Sequence, residues 1–193
     1  MTQLELKKVS AKTASEVCML YELDEDTAAL LTDESTPVQL LTRLIENEKF
    51  PEAVHFMAYA LPKREAAWLA CLAAQGTLDD DSPKADKEAV EKAERWVYQT
   101  TEENRQLAVT AAETTGFKTS AGLAAAAVAW SGGSLAPAES PVVPPAEDLT
   151  GKAVWAALTL AAVAGEPDKA PEKYRTFFNQ AVDVANGGSG KDV

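Results

Sequence analysis

Leu61-Pro62-Lys63-Arg64-Glu65-Ala66-Ala67-Trp68-Leu69-Ala70-Cys71-Leu72-Ala73-Ala74-Gln75-Gly76 reads as a helix from its two ends and as a buried one from its middle. Pro62 suits a first turn, where a missing N–H costs nothing, and Gly76 suits the left-handed position that closes a helix. Between them Ala66 to Ala74 is nine apolar residues in a row, so no face of the last two turns is available to water. Such a helix is enclosed by others. Its head is charged, with Lys63 and Arg64 in a first turn where the macrodipole favours only Glu65. Glu65 also shares a stripe with Leu61, Trp68 and Leu72, which sets its carboxylate at the edge of the core in need of a partner. Lys63, Arg64, Glu65 and Trp68 are therefore the candidate site. Two readings stand side by side: an internal ion-pair cluster that fixes how the helix docks, and a cationic contact point for an acidic partner.

Outward from this block the signals are helical almost throughout. Met1 to Val9 alternates weakly and reads as an extended arm. Thr13 with Glu16 forms a capping-box pattern ahead of Ala14 to Tyr21, and Asp24 caps a short turn. Thr36-Pro37-Val38-Gln39 combines cap, proline and Gln in the order of a strong helix start. Pro51 opens another helix, which must bend at Leu61 because the residue before a proline is pushed out of the α region. Ser82-Pro83 starts an amphipathic helix whose polar face carries Lys84–Glu88, Lys87–Glu91 and Glu91–Arg95 at i,i+4 spacing. Thr101 caps a helix with Leu107, Ala108, Ala111 and Ala112 as its buried stripe and Gly116 as its stop. Ser120 to Ser131 and Lys152 to Ala164, the latter capped near Thr150, are alanine-rich core helices. Pro171 opens the last helix.

The fold class is accordingly all-α: a single irregular bundle of about nine or ten helices with a Pro-rich crossover. Residues 1–12 form an N-terminal arm, 13–186 the helical domain with the crossover at 132–148, and 187–193 a flexible tail. The crossover is long enough to make neighbours of two non-consecutive helices. The tryptophans at 68, 96, 130 and 155 show no constant period, which argues against a solenoid.

The chemistry is mostly excluded. A net charge of −12 disfavours nucleic acid and anionic membranes, and no apolar run is long enough to span a bilayer. Cys18 and Cys71 stand far apart without a CxxC pattern, and no targeting segment is visible, so a reducing cytoplasm is the expected location. Asp79-Asp80-Asp81 lacks the glycine and distal Glu of a calcium loop. The lone histidine, His55, lies one turn from Tyr59 and reads as half-buried packing. No GxSxG, GxGxxG, HExxH or SxxK is present, and Gly-Ser-Gly-Lys at 188–191 leads into no helix. No cofactor, metal or catalytic residue is expected.

Leu61 to Cys71, Ala121-Gly122-Leu123-Ala124-Ala125-Ala126, Ser131-Gly132-Gly133-Ser134-Leu135-Ala136-Pro137 and the prolines before Leu149-Thr150 resemble a family of small helical bacterial proteins, a domain of unknown function. The resemblance spans roughly residues 35–165. That family tends to carry two tryptophans after its LPKREA block, whereas Leu69 holds the second position here. It implies proximity to type VI secretion components and brings no catalytic residues. The expected function is a non-enzymatic acidic protein-interaction module, adaptor or chaperone-like. The alternative is a toxin-immunity or nucleic-acid-mimic protein with a basic partner. Oligomeric state is left open.

Overall fold

A computed structural model describes residues 4–136, 139–191 and 193. The first three residues of the arm, Pro137 and Ala138 of the crossover and Asp192 of the tail lie outside the described residues. Ten α-helices are present among them: α1 (Ala14–Cys18), α2 (Glu25–Leu30), α3 (Pro37–Glu46), α4 (Phe50–Ala60), α5 (Lys63–Gln75), α6 (Lys84–Tyr98), α7 (Glu102–Thr115), α8 (Ser120–Ala129), α9 (Leu149–Val163) and α10 (Ala170–Ala185). Their boundaries follow local chemistry. The Thr36/Gln39 capping box is complete, Asp24 caps α2 through the Thr27 amide, and Thr101 caps α7 through the Asn104 amide. Gly116 closes α7 in the left-handed conformation.

α5 is the axle. Every residue from Ala66 to Ala74 is buried, and α6, α8, α9 and α10 all pack on this helix. Alanine on three of these surfaces lets backbones approach closely, so the interior is filled by many short contacts in place of a few bulky ones. The larger side chains, Phe56, Met57, Leu40, Leu41 and Leu44, gather between α3 and α4 in the same contiguous core. α8 and α9 run antiparallel: the Ser120 hydroxyl at the start of one donates to the Ala157 carbonyl at 2.9 Å. At the other end the Thr150 hydroxyl donates to the Trp130 carbonyl at 3.1 Å.

Several local expectations are corrected. Gly76 is right-handed (φ −64°); the end of α5 is closed by Thr77, whose N–H and hydroxyl both donate to the Ala74 carbonyl. Thr13 makes no side-chain cap, because the Ala14 amide is taken by the Ser35 carbonyl and Glu16 reaches back to the Lys12 amide. Thr150 lies inside α9, where its hydroxyl ties α9 to α8 and caps nothing. On α6 only Lys84–Glu88 forms as expected; Lys87 donates to the Asp80 carbonyl, and Glu91 pairs with its neighbour Lys92. The crossover joins two helices that already pack together, so it makes no remote neighbours. The segment after α10 is seated against α5 through Gly190 and Lys191, where a free tail was expected, because Trp68 offers it an indole N–H. On α7 the buried residues are Asn104, Arg105, Ala108 and Ala112, while Leu107 faces out.

Candidate functional site

Pro62 has no N–H to give and is extended (ψ 146°), so α5 starts abruptly at Lys63; of its three charged side chains Arg64 and Glu65 pair, while Lys63 turns away. They do not form one cluster. Glu65 is buried, and its Oε1 takes Lys8 Nζ at 3.0 Å and Arg64 Nη2 at 2.9 Å. Burial alone would raise the Glu65 pKa; the hydrogen bonds from Arg64 and Lys8 outweigh it and hold the carboxyl below its ordinary range. Lys63 points elsewhere and donates to the Ser131 carbonyl at 3.2 Å. Trp68, one turn below Glu65, donates its indole N–H to the Ser189 carbonyl at 2.7 Å, meets Tyr98 edge-on and lies under the Lys191 ammonium at 5.2 Å.

The head of α5 thus fastens the segment before α1 and the segment after α10. Lys8 comes from the arm, whose amide also donates to the Ala185 carbonyl, while Ser189, Gly190 and Lys191 come from beyond α10. Gly190 (φ +70°) is required at its place, since a Cβ would stand 2.7 Å from Leu72 Cδ1.

A second constellation sits on α7. Arg105 is 3% exposed; its Nε reaches Glu102 Oε2 at 2.8 Å, its Nη2 reaches Glu102 Oε1 at 2.6 Å, and its Nη1 donates to the Ala129 carbonyl at 2.6 Å. Gly133 crosses the guanidinium at φ +69°, so close that a Cβ there would lie 2.4 Å from Nη2. The two-pronged hydrogen bond from Arg105 drives the Glu102 pKa down to about 2. Arg105 therefore pins the end of α8 and the turn that follows it to α7. Nothing marked Arg105 in the sequence as buried except its i,i+3 and i,i+7 spacing to Ala108 and Ala112.

Between α7 and the turn at 131–136 lies a cleft of about 700 Å³. Val109, Trp130, Leu135 and Phe117 supply its apolar lining, with Glu102 and Glu113 at its margin. Phe117 holds a left-handed backbone (φ 59°), uncommon for an aromatic residue, and the residue is 39% exposed while its ring stacks on Trp130 at 5.8 Å between centroids.

The family DUF6931, described as a family of unknown function, matches residues 40–185, most of the chain. The chain belongs to it. Within the DUF6931 match fall the head of α5 and the whole Arg105 constellation, whereas Lys8 and Ser189, the partners of Glu65 and Trp68, come from outside it. No curated protein and no solved structure matches the chain.

The remaining reactive side chains are packed away. Cys18 and Cys71 are buried free thiols whose pKa values burial pushes up, which disfavours the thiolate. His55 stacks on Trp155 (4.4 Å between centroids) and lies 4.2 Å from the Tyr21 ring. Burial lowers its pKa to about 4, against a weak upward pull from Asp24. The folded state binds this proton less readily than the unfolded chain, so the stability it gives is complete above about pH 6.5 and is lost as pH falls toward 4. The expected loss over that window is about 2 kcal/mol after allowance for the ring's partial exposure. Denaturant melts at pH 7, 5.5 and 4.5 should show the decline, and His55→Phe, which keeps the stack, should flatten it; an NMR titration midpoint near 6.5 would disprove the assignment.

Proposed function

We propose that this protein is a non-enzymatic, acidic protein-binding module, adaptor or chaperone-like, and that the cleft along α7 is its working surface. The observation that carries the reading is the stack of exposed Phe117 on half-buried Trp130, which lines a preformed groove together with Leu135. An aromatic residue held partly in water at a backbone cost, as Phe117 is, serves a binding surface, while Trp130 anchors it to the core. The net charge of −12 favours a basic partner. The type VI secretion setting implied by the sequence resemblance is a natural context for such a module.

The test is site-specific photo-crosslinking in the native host. A photoreactive residue at Val109 or Leu135 is expected to trap one discrete protein, and the same residue at exposed Met19, just after α1, is not. Equal trapping from all three positions, or none from the groove, would remove the groove from consideration.

A further inference from the structure

The groove has a shape and a charge that select its occupant. We infer that it takes an amphipathic α-helix from a partner protein, with an apolar stripe against Val109, Leu135 and the Phe117–Trp130 stack and a cation placed against Glu113. This inference rests on the protein-binding reading above and specifies the partner's chemistry.

The wall contributed by α7 is a single helical stripe, Glu102, Arg105, Gln106, Val109, Thr110 and Glu113, three turns or about 16 Å long. An extended peptide would need free backbone donors and acceptors along that length. The facing turn has few to offer, since the Leu135 amide donates to the Val143 carbonyl at 2.8 Å and the Ala136 amide to Ser134 Oγ at 3.1 Å. From Asn104 onward the amides of α7 are taken by the Thr101 cap or within the helix. A strand therefore finds no edge to extend, whereas a helix arrives with its own backbone satisfied and needs only side-chain contacts.

Charge makes the second selection. Arg105 is the one cation lining the groove among the described residues, and its charge is taken up by Glu102 and the Ala129 carbonyl. Glu113 is exposed and makes no ion pair with any described residue. The lining thus carries one unanswered negative charge on a chain of −12, which repels an acidic segment and rewards a Lys or Arg at the Phe117 end. A second copy of the chain would bring Glu113 and the same negative field against themselves, and is disfavoured on that account.

The probe is a synthetic 16-residue helical peptide with a leucine stripe and lysines at the rim, compared with a version carrying glutamates for lysines and one with a central proline. Fluorescence anisotropy should show both altered peptides binding at least about tenfold more weakly than the parent. Because an acidic protein attracts any basic peptide, the deciding readouts are local. Leu135→Asp should weaken the parent by at least about tenfold and Glu113→Lys by about three- to tenfold, with both variants melting like the parent protein. Hydrogen-exchange protection should map to α7 and the 131–136 turn. Binding that ignores Leu135→Asp, protection elsewhere, a proline peptide that binds as well, or no binding of the parent peptide would overturn the inference. An extended segment or a second copy of this chain trapped at Val109 would overturn it too while leaving the protein-binding reading in place; absence of any groove adduct would remove both.

Discussion

Trp68→Ala is expected to cost about 3–5 kcal/mol, the range for removing a large aromatic from a core, and to release the segment after α10. The ring is only 7% exposed and lies on the axle helix, so its loss leaves a cavity that rigid neighbours on α5 and α6 cannot fill. It is also the anchor of the segment after α10, through the Ser189 carbonyl and the Lys191 ammonium. Two consequences can be separated. Trp68→Phe keeps most of the volume and removes the N–H; Ser189 is exposed, so its carbonyl turns to water and the cost falls to about 1 kcal/mol. Hydrogen exchange at the Gly190 amide, which donates to Asp183 Oδ2 at 2.8 Å, should speed up in both variants. Global stability, read from the denaturant midpoint, should drop steeply only in Trp68→Ala. An unchanged Gly190 exchange rate in Trp68→Ala would show that the indole does not hold the terminal segment.

The contrast between α5 and α7 shows what the sequence makes legible. On α5 nine consecutive apolar residues admit no alternative, and the helix is enclosed as read. Its charged head was also legible to the extent that Glu65 needed a partner, and Arg64 supplies half of it. The other half is Lys8, distant in sequence, and no local pattern carries that information. On α7 the apolar residues are mostly alanine, whose small faces set the rotation of a helix only weakly. Leu107, the largest, suggested a buried stripe, yet it faces out because the Arg105 guanidinium claims the Ala129 carbonyl and the stripe rotates to Ala108 and Ala112. The groove was illegible for the same reason: it exists only because Arg105 and Gly133 bring the 131–136 turn up against α7. Gly76 failed as a left-handed cap because Thr77 closes the helix by another route, a choice that composition alone does not make.

Glu102→Ala is expected to destabilise the protein more than the double change of Glu102→Ala with Arg105→Met. Arg105 cannot shed its proton, so removing Glu102 strands a cation whose side chain is 4% exposed with one carbonyl for company. Breaking a buried pair from one side costs about 3–5 kcal/mol, reduced here to about 2–3 kcal/mol because Glu102 is 60% exposed and water can enter where it stood. Arg105→Met alone removes the charge and keeps much of the volume; its cost is the orphaned Ala129 carbonyl, about 1–3 kcal/mol. In the double variant the stranded charge is gone, so the two penalties do not add and the coupling energy is favourable to the pair. Acid should mimic the single Glu102 change. The folded-state pKa of Glu102, about 2, lies below its unfolded value near 4.5, so the stability it contributes is complete above pH 4.5 and drains away as pH falls toward 2. Since Gly133 rests on the guanidinium, each variant should also loosen the 131–136 turn, raising its hydrogen exchange and weakening whatever the groove binds. Strict additivity of the two single changes would mean that Arg105 is held in place by α8 alone, and that the groove does not depend on the pair.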